Sequence, residues 1–306
     1  MNLLRGWLFY IVLSFSILVL AVCVLCTTPF ASVKWRYEAI CRPWAKFVLA
    51  LLRVICGIRL EMKGMENLPP ADTQAVVLMK HQSAWDPFWL GAYLPAPACF
   101  IYKRSINWIP VLGWVVSAMD MLAIDRSKGR SAFEAFMKKG PVKLREGFWI
   151  SLFPEGTRVP PGERVRYKTG GARFACQSGT PIVPVCHNAG HCWPKNSIAK
   201  QPGTITVSVG PVIETKGRDP HEVTAEVEKW IEDELERIDA RSRQGAVSSI
   251  DVAPEGRDGG RRRAHRISVP ALPTPQDPRH PELRWQAGQA RGDGSVPLCR
   301  SADAER

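Results

Sequence analysis

Between Gly6 and Val33 the chain has no charged residue. That absence excludes a solvated surface helix over this stretch. Trp7 to Cys26 is almost wholly apolar, long enough to cross a bilayer core as a helix. No small-residue cleavage site follows it, and the run is long for a signal segment, so a retained anchor is expected instead of a cleaved leader. Acidic residues are scarce beside it. Arg5 precedes it, while Lys34, Arg36, Arg42, Lys46, Arg53 and Arg59 follow with only Glu38 among them. The positive-inside tendency then puts the bulk of the protein in the cytoplasm. The nine cysteines have no regular spacing, and Cys23 and Cys26 lie inside the apolar run. This excludes a disulfide framework and points to reduced thiols. Lysine is missing after Ala240, where Arg, Pro, Gly, Ser and Asp dominate and apolar residues are isolated. Such a segment cannot bury enough surface to offset its ordering entropy, so disorder is expected from about Gln244 to Arg306. Internal repeats are also lacking. No basic strand pair laced with aromatics and no recognition helix is evident, so a nucleic-acid partner has only the net charge of +12 in its favour. That charge suits an anionic membrane surface or a phosphorylated substrate equally well.

What the chain does contain is alternation. Trp44 to Ile58 is a second apolar stretch, interrupted by Lys46 and Arg53, and reads as a helix at a membrane interface or against the core. Beyond it, strands are expected over Arg59–Lys63, Ala75–Met79, Ala98–Tyr102, Met121–Ile124, Phe148–Phe153, Pro181–Cys186 and Thr204–Val209. Helices are expected over Pro87–Tyr93, Ser131–Lys139, Gly170–Gln177 and Pro220–Asp239. The last carries Val223, Val227, Trp230, Ile231, Leu235 and Ile238 at helical spacing behind an Asp219-Pro220 start. The pattern specifies an α/β fold, a layered mixed sheet with flanking helices behind an N-terminal membrane helix region. The divisions are a membrane anchor over 1–34, an interfacial or second membrane-associated helix over 35–58, an α/β domain over 59–240 and a disordered Arg/Pro/Gly-rich tail over 241–306.

Chemistry gathers at strand ends. Lys80-His81-Gln82-Ser83-Ala84-Trp85-Asp86-Pro87 follows an apolar strand, with Asp86-Pro87 reading as a cap and first helical position. A turn can fold that His and Asp together, leaving one imidazole nitrogen free as a general base for a hydroxyl. Arg126 closes the strand Met121–Ile124. Phe153-Pro154-Glu155-Gly156-Thr157-Arg158 follows another strand, and Thr180-Pro181-Ile182-Val183-Pro184-Val185 is a proline-flanked third. Ligands of open α/β sheets bind at the carboxyl ends of strands, so His81, Arg126 and Arg158 are expected to converge, the two guanidiniums holding a phosphate. Cys186-His187 and His191-Cys192 invite a zinc reading, but adjacent ligand pairs do not match common finger spacing, and no metal is expected.

In this order the stretches resemble those of the bacterial 1-acyl-sn-glycerol-3-phosphate acyltransferases, within the glycerolipid acyltransferase superfamily. Of that family's blocks, H-x-x-x-x-D is matched at His81 and Asp86, F-P-E-G-T-R at Phe153 to Arg158, and the proline-flanked I-V-P-V at Pro181 to Val185. G-x-x-F-I-x-R is matched only in part. Ile124 and Arg126 are in place, but Asp120 stands where Gly is usual and Ala123 where Phe is usual. The resemblance runs from about Lys63 to Glu214 and takes in Ile109 to Trp114 and His187-Asn188-Ala189-Gly190. It implies His81 as the base acting on the sn-2 hydroxyl of lysophosphatidic acid, and Asp86 as the group fixing its tautomer. Arg126, Glu155, Gly156, Thr157 and Arg158 would bind the acyl acceptor. The donor implied is an acyl carrier protein or coenzyme A thioester, with no metal or prosthetic group and no covalent role for Ser83. Membrane lipid is the remaining partner, at the bacterial inner membrane with the catalytic domain on the cytoplasmic side. Two competing readings remain open: an acyltransferase for another lysolipid, such as lyso-ornithine lipid, or a non-catalytic protein binding anionic membranes through its Arg-rich tail.

Overall fold

The structure, a computed structural model, describes residues 1–125 and 129–250, with the side chains of 243–250 left out. Arg126 and most of the Arg-rich tail lie outside the described residues. Seven strands form one sheet: β1 (Ile58–Lys63), β2 (Val76–Met79), β3 (Ala98–Lys103), β4 (Leu122–Ile124), β5 (Trp149–Leu152), β6 (Ile182–His187) and β7 (Gly203–Val209). Their spatial order is β1-β7-β6-β2-β5-β3-β4. Every neighbouring pair is parallel except β6 with β7. The carboxyl ends of β2 to β6 therefore open on one edge, and β2 sits centrally between β5 and β6.

Alternate residues of each central strand enter opposite cores, as the period of two requires. Val77, Met79, Ala98, Trp149, Val183 and Val185 point to one face. That face is covered by α1 (Asn2–Thr27), α3 (Arg42–Cys56), α4 (Asp86–Tyr93) and α5 (Leu112–Ala118). A short α2 (Val33–Arg36) and one π turn (Tyr37–Cys41) lead into α3, which ends on Gly57 at φ 69°. Val76, Leu78, Cys99, Ile150 and Ile182 point to the other face. There α6 (Gly129–Arg145), α7 (Gly170–Ser178) and, after the one-turn α8 (Ala189–Cys192), α9 (Pro220–Ile250) pack. This is the layered mixed sheet that the alternation implied. Burial on both faces explains why the central strands read as unbroken apolar runs.

Three details depart from the sequence reading. α9 continues to Ile250 instead of ending near Asp239. α5, which no spacing announced, bridges β3 and β4. Asp219 caps α9 as anticipated, its Oδ1 accepting from the amides of His221 and Glu222. Asp86 does not cap α4; Trp85 occupies the N-cap position and Asp86 is the first helical residue.

Candidate active site

The turn that follows β2 is organised by one carboxylate. Asp86 is wholly buried, and its Oδ2 accepts from His81 Nδ1 at 2.8 Å and from the amides of Gln82 at 3.1 Å and Ser83 at 3.2 Å. It turns back into its own loop because those donors converge there, which is why it does not cap the helix it begins. Since a carboxylate only accepts, the imidazole proton sits on Nδ1 and Nε2 keeps its lone pair. The ring stacks on Phe153 with centroids 3.9 Å apart and planes 14° from parallel, and the side chain stays 19% exposed. The base is thus oriented on one edge and open on the other. Ser83 is buried with its hydroxyl spent, donating to the Trp193 carbonyl at 2.9 Å and accepting from Trp85 N.

The expectation for Glu155 changes. Its side chain is fully buried, out of reach of a solvent-borne headgroup. Oε2 accepts from the His81 backbone N–H at 2.5 Å, and Oε1 forms an ion pair with Lys80 at 2.7 Å. Lys80 Nζ also pairs with Glu232 of α9 at 2.6 Å, and Tyr167 donates its hydroxyl to the same Glu232 oxygen at 2.8 Å. Burial opposes the Lys80 charge, but the two carboxylates overcome it and hold its pKa above the ordinary value. Half-exposed Arg164 reaches the other Glu232 oxygen at 3.5 Å, which leaves Lys80 as the cation that Glu155 shares with Glu232. Burial accordingly pushes Glu155 up to about 7 against the pull of Lys80. What the cluster accomplishes is positional, because it grips the peptide that carries His81.

The loop 154–159 is stitched to the same peptide. Glu155 holds His81 N, and Val159 N donates to His81 O at 2.8 Å. Gly156, Thr157 and Arg158 form the arc between these ties. Thr157 is exposed and Arg158 half-buried, and neither side chain is engaged by the described residues. Gly156 adopts φ 72°, and a Cβ there would lie 2.5 Å from Lys168 Nζ. Gly156→Ala is therefore expected to destabilise the protein by about 1–2 kcal/mol, from the left-handed backbone alone, and to lower activity by distorting the arc. Denaturant titration beside an activity assay checks this. β4, which leads toward Arg126, lies three strands from β2, roughly 14 Å at the usual strand spacing. Asp120 explains its own departure from the family pattern. It adopts φ 51°, a conformation natural to Gly and tolerated by Asp, and its carboxylate pairs with Lys143.

Sequence reasoning missed Lys80, Tyr167, Glu232 and Phe153. The one available signal was a carboxylate, Glu232, lying inside the buried stripe of α9. The Cys186–Cys192 cluster is dispersed: His187 is buried against Lys80 O, while His191 pairs with Asp239 at 3.1 Å. Among the described residues no group of three His, Cys, Asp or Glu is placed to hold a metal.

Helix α1 lies beside this turn. Phe9 packs edge-on against Trp193, whose carbonyl takes the Ser83 hydroxyl, and Phe88 of α4 stacks on the same indole. Its buried stripe (Phe9, Leu13, Ser16, Leu20, Val24) faces the domain, while Leu4, Trp7, Leu8, Ile11, Phe15, Leu18, Val19 and Val22 face outward. The helix is long and apolar enough to cross a membrane. An apolar outer face of this extent suits membrane association.

A buried Asp aiming a His at the carboxyl edge of a mixed sheet, with an arginine-bearing arc beside it, describes an acyltransferase, and the acyltransferase family model matches residues 59–188. The 1-acyl-sn-glycerol-3-phosphate acyltransferase of Pseudomonas aeruginosa is 36% identical over 238 residues, 77% of this chain and 91% of that protein. A chloroplastic 1-acyl-sn-glycerol-3-phosphate acyltransferase of Brassica napus is 32% identical over 182 residues, 60% of this chain and 52% of its own length. The crystal structure of the Thermotoga maritima 1-acyl-sn-glycerophosphate acyltransferase shares the fold at a TM-score of 0.67 and 23% identity, over 78% of this chain and 96% of that one. The chain belongs to the 1-acyl-sn-glycerol-3-phosphate acyltransferase family.

Proposed function

We propose that the protein moves a fatty acyl group from an acyl carrier protein or coenzyme A thioester to the sn-2 hydroxyl of 1-acylglycerol-3-phosphate, giving phosphatidate. The observation that carries this reading is the His81–Asp86 pair, which leaves Nε2 unprotonated on the exposed edge of the ring. Nε2 takes the hydroxyl proton as that oxygen attacks the thioester carbonyl. Asp86 keeps Nδ1–H and stabilises the imidazolium that forms. When the tetrahedral adduct collapses, the C–S bond breaks and Nε2 returns the proton to the departing thiolate. A thioester is already activated, so a positioned base contributing about 10²- to 10⁴-fold, together with alignment of the reactants, is a sufficient catalytic demand. The reaction calls for no metal or prosthetic group.

Arg158, with Thr157 and Gly156, would hold the glycerol phosphate through charge-assisted hydrogen bonds, and Arg126 would assist. Glu155 serves by fixing the His81 peptide. The cations that follow α1 favour a catalytic domain on the cytoplasmic side of a bacterial inner membrane, with the acceptor arriving from the bilayer.

A panel of lysolipids tests the acceptor. Lysophosphatidate should be used in strong preference to lysolipids lacking a terminal phosphate, lyso-ornithine lipid among them. Arg158→Ala should raise KM for lysophosphatidate by about 10- to 100-fold, the worth of one or two charge-assisted bonds, with kcat much less changed. Equal use of all acceptors, or an unchanged KM in the variant, would remove the phosphate from the account.

A further inference from the structure

The mechanism uses one oxygen of Asp86 and leaves the other unexplained. Oδ1 is buried and takes no hydrogen bond of good geometry, yet His187 Nε2 stands 3.4 Å away. His187 is the last residue of β6, wholly buried, and both its ring nitrogens are committed. The Ala189 amide donates to Nδ1 at 3.1 Å, which places the ring proton on Nε2. That proton faces the Lys80 carbonyl at 2.8 Å and, beyond it, Asp86 Oδ1. The peptide joining Lys80 to His81 is therefore clamped at both polar atoms: its C=O by His187 and its N–H by Glu155.

We infer that His187 is a positioning residue for acyl transfer, using its single Nε2–H both to lock the peptide that presents His81 and to polarise Asp86 from behind. The inference rests on the acyl-transfer reading above and adds a third member to its His–Asp pair. A neutral, burial-depressed imidazole suits the task, because a second cation beside Asp86 would oppose protonation of His81. The charged and titratable groups around the pair are Lys80 and His81 at the β2 exit, Asp86 from α4 and Glu155 after β5, with Glu232 of α9 reaching Lys80. Among the described residues none of these donates to Oδ1, and His187 Nε2 stands 3.4 Å from it. Removing its donor leaves Asp86 the stronger partner for the imidazolium that forms during transfer.

The test compares His187→Leu, which deletes the donor, with His187→Gln, which can supply an N–H near the same place. Both are assayed with lysophosphatidate and an acyl thioester across pH, beside thermal melts. His187→Leu should lower kcat at neutral pH by about tenfold with KM little changed, and the acidic limb of kcat/KM should move to higher pH. His187→Gln should keep the wild-type limb and lose no more than about threefold in kcat. A purely space-filling role predicts equal losses in both variants with the limb unmoved, and that result overturns the inference. So does a His187→Leu enzyme with wild-type kcat and limb. An inactive wild type would instead sink the acyl-transfer reading, so the two failures are distinguishable.

Discussion

His81→Ala is expected to lower the rate of acyl transfer by about 10²- to 10⁴-fold while leaving the fold intact. The loss is large because Nε2 is the group with a free lone pair on the open edge of the turn. Alignment of the acceptor survives, so a residual rate above background is expected. The fold persists because Asp86 is not stranded: the Gln82 and Ser83 amides still donate to its Oδ2. The ring is partly exposed and one face covers Phe153, so its removal should cost on the order of 1 kcal/mol. Turnover measured beside a melting curve separates these outcomes. A collapsed melting temperature would mean that His81 is structural.

The second large effect concerns a residue expected to touch substrate. Glu155→Ala should reduce kcat by about 10²-fold, with KM for lysophosphatidate nearly unchanged, because the alanine leaves the buried His81 N–H without an acceptor. Lys80 would retain Glu232, so the cation is not left alone and the protein should still fold. Glu155→Gln is the informative companion. Its amide oxygen can still accept from His81 N, while Lys80 and Arg164 keep Glu232 as their shared carboxylate. It should keep activity within about tenfold of wild type and stay close to it in stability, since replacing a buried carboxylate by an amide removes its desolvation cost along with its ion pair. Acceptor-binding work by Glu155 would instead appear as a raised KM in both variants.

The pair His81–Asp86 was legible because both residues sit in one turn, where a proline-started helix forces the chain to double back. The strands were legible because β-branched runs such as Ile182-Val183-Pro184-Val185 are bounded by proline and glycine. Glu155 was found as a motif residue, yet its burial depends on how the loop 154–159 lies along His81, which spacing along the chain does not encode. The same is true of Lys80 and Glu232, a pair 152 residues apart in sequence that meets only after α9 packs on the sheet. α5 was hidden in an apolar stretch whose Pro110 and Gly113 mimic a loop. The last turns of α9 carry no apolar stripe, so helical spacing had nothing to report. Asp120 looked like a defect in a family block until its left-handed backbone showed what the position demands.

The most direct test of the central claim is the identity of the product. Full-length protein in lipid or detergent, given lysophosphatidate and an acyl thioester, should yield phosphatidate with the new ester at sn-2, seen by mass and by position-specific hydrolysis. The same mixture with His81→Ala should yield almost none. Phosphatidate formed by the variant at the wild-type rate, or none formed by the wild type, would contradict a base at His81 acting on that hydroxyl.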